Sequence, residues 1–218
     1  MRHRTAIAFL SALLLASCGT LGSNDSKPPF YGMVYDRDNQ PVQNAVVVLD
    51  GKETAATDVN GRFALANLDP GVYEVELRKE GYEPLSTSVE YFSPTQVLYV
   101  KMTSRDQLLS QAETAIAERR WQEASDLVDR ADLVDPDNPA TLFLRAVVLF
   151  RRGQPEEARA ILEGLLARDY REPSIHLFLA DILQYRLSDP EGAVSQLREF
   201  LRLRYDPVVE ERLKGMGN

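Results

Sequence analysis

The sequence predicts two domains of different class. The N-terminal half is all-β, an antiparallel β-sandwich, and the C-terminal half is all-α, a stack of helical repeats. Three observations predict this. Between Phe30 and Met102 apolar residues alternate with polar ones and turn residues recur at short intervals. After Met102 Gly becomes sparse, Ala, Leu, Arg and Glu dominate, and the apolar period becomes helical. Finally, Pro139, Pro173 and Pro207 recur every 34 residues, as do Ala112, Ala146 and Ala180. A chain of 218 residues accommodates one or two domains, and 44% hydrophobic content excludes wholesale disorder.

The first segment reads as an export signal, residues 1–17. Met1–Arg4 is basic, Thr5–Ala16 is almost wholly apolar, and the small Ser17 precedes Cys18. The apolar run is too short for an ordinary bilayer span, and no later run reaches the ~20 residues a span needs. Leu15-Ala16-Ser17-Cys18 resembles a bacterial lipobox. That resemblance implies cleavage before Cys18, acylation of its thiol and lipidation of the new N-terminus. An ordinary cleaved signal with a chance cysteine is the alternative. Gly19 after the cysteine resembles the outer-membrane sorting pattern of enteric bacteria. The expected location is therefore the cell envelope, lipid-anchored, at the outer membrane facing the periplasm. Residues 18–29 read as a lipidated tether rich in Gly, Ser, Asn and Pro. The 11 residues after the cysteine reach at most about 35 Å.

Within residues 30–103, Gly71–Lys79 places Tyr73, Val75 and Leu77 on one face and Glu74, Glu76 and Arg78 on the other, a half-buried strand. Phe63 and Leu65 alternate with Arg62 and Ala64 in the same way. Ala45–Leu49 is a continuous β-branched run suited to a strand covered on both faces, and Gln96–Met102 reads as the last strand. Asp50-Gly51, Asn60-Gly61, Asp69-Pro70-Gly71 and Glu80-Gly81 supply the turns. Five motifs stand in order: Gly32-Met-Val-Tyr-Asp36, Gln40–Val47, Thr57-Asp-Val-Asn-Gly-Arg-Phe63, Leu68–Tyr73 and Gly81-Tyr82. This order resembles the carboxypeptidase regulatory-like domain, which implies a transthyretin-like sandwich. It implies no peptidase activity, since the zinc-ligand histidines of the accompanying peptidase domain have no counterpart here.

Two ligand readings of this half compete with packing. Asp36, Asp38 and Asn39, and Asp58 to Gly61, resemble fragments of a calcium loop, but neither reaches the roughly six oxygen ligands such a loop needs. Turn chemistry is the expected role. Tyr31, Tyr73, Tyr82, Tyr91 and Phe92 suit a sugar-stacking platform, with core or edge packing as the expected role.

The helical half, residues 104–218, divides at about 105–138, 139–172 and 173–206, with a cap at 207–216. Ala124 and Ala158 also lie 34 apart, while Ala193 comes one residue late because Leu187-Ser-Asp-Pro190 lengthens its turn. A 34-residue helix–turn–helix period with small residues at fixed places resembles the tetratricopeptide (TPR) repeat. The alanine pairs 112/124, 146/158 and 180/193 allow close backbone approach. Trp121 and Pro136 match the family's turn aromatic and helix-ending proline. Arg145, His176 and Tyr170 depart from its pattern.

The resemblance places a concave groove on the first helix of each repeat. The candidate partner-binding residues are Phe143, Val147, Phe150 and Arg151 from repeat two, with Leu177, Asp181 and Tyr185 from repeat three. Apolar and aromatic anchors beside charged groups compose a protein or peptide groove. In the competing view Phe143 and Phe150 simply pack against the next helix pair. The mature chain's one histidine, His176, is expected to pack or lie on the surface, because no nucleophile, phosphate-binding or metalloprotease motif accompanies it. A formal charge of −8, more acidic still without Arg2 and Arg4, argues against nucleic acid or anionic lipid as the main partner. The expectation is a non-enzymatic, cofactor-free envelope lipoprotein binding a protein or peptide partner. The alternative is a carbohydrate or peptidoglycan binder using the sandwich, which an aromatic row exposed on one sheet face would favour.

Overall fold

The computed structural model describes residues 27–216. The leader and Cys18 lie outside them, as does most of the tether. Seven strands come first: β1 (Phe30–Tyr35), β2 (Val46–Leu49), β3 (Lys52–Ala56), β4 (Arg62–Leu65), β5 (Gly71–Arg78), β6 (Leu85–Tyr91) and β7 (Val97–Lys101). Seven helices follow: α1 (Arg105–Ala117), α2 (Trp121–Val134), α3 (Pro139–Arg151), α4 (Pro155–Ala167), α5 (Pro173–Tyr185), α6 (Pro190–Leu203) and α7 (Pro207–Met216). None of these helices is long and apolar enough to cross a membrane.

The strands form two sheets, β4-β1-β7 and β3-β2-β5-β6. Between them lie Phe30, Val34, Val47, Phe63, Leu65, Val75, Leu77 and Tyr91, all buried. Val47 and Val48 are buried side by side, as the β-branched run predicts for a covered strand. One pairing departs from the antiparallel expectation: β1 and β7 run parallel, with Gly32 opposite Leu98 and Val34 opposite Val100. They are the first and last strands of the domain. The intervening strands provide the long crossover a parallel pair requires, so no hairpin constrains their direction.

The Thr57–Phe63 motif has a physical basis in this fold. The buried Thr57 hydroxyl donates to Val42 O at 2.6 Å and accepts from Ala45 N at 2.8 Å. Asp58 Oδ1 accepts from Asn60 N and Arg62 N, both at 2.8 Å. Gly61 has φ +73° and sits so close to Val34 that a Cβ there would lie 2.3 Å from its carbonyl oxygen. Asp36 Oδ1 likewise accepts from Asp38 N and Gln40 N at 2.8 Å. These carboxylates satisfy turn amides.

In the helical half, α3 to α7 each open on proline, where no amide bond is lost. The turns inside the three helical hairpins each hold a residue at positive φ: Arg119, Gly153 and Ser188. The first two are 34 apart and the third one residue late, the same lag as at Ala193. Ala112, Ala124, Ala146, Ala158, Ala180 and Ala193 are all fully buried. The closest helix packing is within the pairs α5/α6, α1/α2 and α3/α4. Arg145, which departs from the repeat pattern, pairs with Asp129 at 2.9 Å and Asp132 at 3.3 Å on α2.

The two halves join without a linker. Met102 and Thr103 are buried, and Ser104 caps α1 in a capping box with Gln107. Arg105 N donates to Gly81 O at 2.9 Å, and Glu83 N to Thr103 O at 2.9 Å. Arg130 of α2 makes a bidentate pair with Glu83, at 2.8 and 2.7 Å, and Gln107 Nε2 donates to Asp38 at 2.6 Å. Burial, then the carboxylates Asp36 and Asp106, push the Tyr82 phenol up at this junction. The sandwich thus abuts the first hairpin of the stack.

Candidate protein-binding groove

Helices α1, α3 and α5 are the first members of the three hairpins. The candidate residues sit on α3 and α5, and the structure brings some of them together through a residue the sequence reading passed over. The rings of Phe143 and Phe150, both half-buried, meet Phe178 of α5 edge-on, with centroids 5.9 and 5.3 Å away. Phe178 is itself half-buried, so the three rings form an aromatic ladder between α3 and α5. Val147 is half-buried on the same helix, one turn beyond Phe143. Leu177 is half-buried against the core of the α3–α7 region.

A mainly apolar hollow of about 400 Å³ lies beside Phe143, lined also by Pro139, Ala140, Tyr170, Ser174 and Ile175, with Glu172 as its one charged residue. At the opposite end of α3 a larger hollow of about 590 Å³ is lined by Ile116, Ala117, Arg119, Trp121, Arg151 and Arg186. The Cζ atoms of Arg151 and Arg186 lie 5.8 and 5.2 Å from the Phe150 ring centroid, within cation–π range. The ladder therefore runs from an apolar hollow to a cationic one.

Asp181 and Tyr185 are placed differently. Asp181 is paired with Arg212 of α7 at 2.6 Å, and the same guanidinium sits 5.3 Å from the exposed Tyr185 ring. Arg212 also donates to Gln184 Oε1 at 3.1 and 2.6 Å. The last helix thus engages this end of α5. His176 is buried, with Nδ1 2.8 Å from Gln196 Oε1 of α6, an inter-helix contact.

In the sandwich, Tyr91 is buried against Phe30 at 4.9 Å, while Tyr73 and Tyr82 pack half-buried on the core. Tyr31 and Phe92 are exposed. Tyr31 and Tyr99 share the outer face of the β4-β1-β7 sheet, 50% and 54% exposed, and Tyr99 stacks on Tyr35 at 5.5 Å and 28°. The outer row therefore consists of Tyr31, Tyr35 and Tyr99, two of which the sequence reading had not singled out.

A family model of the carboxypeptidase regulatory-like domain matches residues 30–103, and one of the tetratricopeptide repeat matches residues 115–182. No curated protein matches the chain. Among solved structures, it is similar to the Sgt2 TPR domain from Aspergillus fumigatus, with 22% identity over 52% of this chain and 76% of that one, and a TM-score of 0.47. It is similar to the first TPR domain of human RPAP3, with 18% identity over 52% and 89%, and a TM-score of 0.47. A third similarity is to the Yersinia enterocolitica type III secretion chaperone SycD in complex with a peptide of the translocator YopD, with 19% identity over 51% and 87%, and a TM-score of 0.44. The chain carries a carboxypeptidase regulatory-like domain followed by tetratricopeptide repeats.

Proposed function

We propose that this protein is a non-enzymatic envelope lipoprotein, a scaffold or assembly factor whose repeats hold a protein or peptide segment along α3 and α5. The observation that carries the reading is the ladder Phe143–Phe178–Phe150, which stays half-buried and ends in a hollow on either side. The stack closes its hairpins with fully buried alanines and with leucines such as Leu162 and Leu197. The three rings pack against the outside of this core but stay partly exposed, and partly exposed aromatics beside arginine are the composition of binding hot spots. A photo-crosslinking amino acid at Val147, used in cells and followed by mass spectrometry, should attach a protein partner. Crosslinking to nothing above background counts against the groove.

The anchor belongs to the same proposal. Cys18→Ala should release the protein from membranes or stop its processing, because stable anchoring takes more than one acyl chain and these hang on this cysteine. Detergent partitioning identical to the parent's would contradict it.

A second reading, binding of carbohydrate or peptidoglycan by the sandwich, is favoured by one observation: the row Tyr31, Tyr35 and Tyr99 on an open sheet face. Retention on purified cell wall that drops in Tyr99→Ala supports it. No retention, or retention indifferent to Tyr99, removes it.

A further inference from the structure

We infer that the cationic hollow at the end of the groove reads side-chain carboxylates, so that the partner presents an acidic segment there; this rests on the groove proposed above and specifies its ligand. Arg151 is the last residue of α3, and Arg119 and Arg186 lie in the turns just after α1 and α5; together they line one hollow of about 590 Å³. The other arginines of the helical half are mostly paired: Arg105, Arg120, Arg130, Arg145, Arg159 and Arg212 all have carboxylate partners. Among the described residues Arg119, Arg151 and Arg186 have none; Arg152, Arg198 and Arg204 are also without a carboxylate, but it is the first three that share a hollow. The acid next to Arg119, Glu118, is taken by Arg120, and Asp189, the nearest along the chain to Arg186, accepts from Gly192 N as the cap of α6. In a chain of formal charge −8, three unpaired guanidiniums facing one space are not a by-product of composition.

Helix-dipole compensation accounts for a cation near a helix C-terminus. It does not account for the convergence. The three arginines occupy different positions of the repeat: one period from Arg151 stand Ala117 and Tyr185, and one period from Arg119 stands Gly153. Nor does cation–π contact with Phe150 use their hydrogen-bond donors. It holds the planes of Arg151 and Arg186 beside an aromatic wall, leaving the guanidinium edges for a ligand. Guanidinium matches carboxylate with two parallel hydrogen bonds. Charge complementarity selects an acidic occupant, and the adjoining Phe150 and Trp121 select one with an apolar or aromatic residue next to its acids.

The test uses the full chain and two fluorescein-labelled peptides with amidated C-termini, so that only side chains supply charge. One carries Glu residues around a central Phe, and its twin has Gln at every Glu. In fluorescence anisotropy at low salt, the Glu peptide should bind about tenfold more tightly than the twin, since exposed ion pairs contribute about two- to fivefold each. The preference should shrink as salt shortens the screening length. The triple variant Arg119→Gln, Arg151→Gln, Arg186→Gln should lose it while melting like the parent, because all three side chains are exposed. Equal binding of the twins, no binding of either, or a preference that survives in the triple variant would overturn the assignment. So would binding to phosphatidylglycerol vesicles in place of the peptide, which would assign the cations to a membrane surface. If both twins bind equally and Phe143→Ala weakens both, the anion site falls and the groove stands. If Phe143→Ala leaves the Glu preference and affinity intact, the anion site stands and the aromatic groove falls.

Discussion

Ala146→Leu and Ala180→Leu are expected to lower the melting temperature of the protein by several degrees, about 1–3 kcal/mol of destabilisation each. Both positions are fully buried, as are Ala158 and Ala193 on the second helices of the same hairpins. A hairpin with alanine on both sides has no room for three more carbon atoms. The helices must separate, or the leucine must take a strained rotamer, and either outcome loses contacts around Leu162, Leu179 and Leu197. The contrast makes the measurement specific. Leu133 on α2 is 84% exposed, so Leu133→Ala should leave the melt nearly unchanged. Parent-like melting of Ala146→Leu would mean that α3 and α4 do not meet at this alanine.

Much of this fold was legible in the sequence because two of its periods are strong. Alternation marked β4 and β5, the β-branched run marked β2, and the 34-residue recurrence of Pro and Ala marked the helical hairpins. Strands β3 and β6 were not legible. β3 is an edge strand exposed along nearly its whole length, and Lys52–Ala56 has no apolar face to reveal it. β6, the opposite edge, is dominated by Ser, Thr and Glu, with Leu85 only partly buried at its start and Val89 and Tyr91 buried in the core at its end. The parallel pairing of β1 with β7 was also hidden, since the direction of a long-range pairing leaves no mark in either strand's pattern.

The groove shows the limit of transferring a phase from one repeat to the next. Phase copies Phe143 onto Leu177, but the aromatic that meets Phe143 is Phe178, one residue on. Phase also copies Val147 onto Asp181 and Arg151 onto Tyr185, and both are engaged by Arg212 from a helix outside the repeat. Arg119 and Arg186 lie in turns, beyond the reach of any helical periodicity, and only the folded stack brings them beside Arg151.

The functional effect expected to be largest is at Phe150. Its ring touches Phe178 and lies beside Arg151 and Arg186, so it joins the apolar ladder to the cationic hollow. Truncating a true anchor costs about 2 kcal/mol of affinity, roughly thirtyfold. The competing view treats the same ring as interior packing, for which Phe→Ala costs about 3–5 kcal/mol of stability. The two views separate in one paired measurement, crosslinking yield from Val147 together with the thermal melt of Phe150→Ala. The groove predicts that the crosslinked partner falls away while the variant melts near the parent temperature. A melt lowered by many degrees with crosslinking still in place at permissive temperature would contradict it, and the aromatic ladder would then be packing alone.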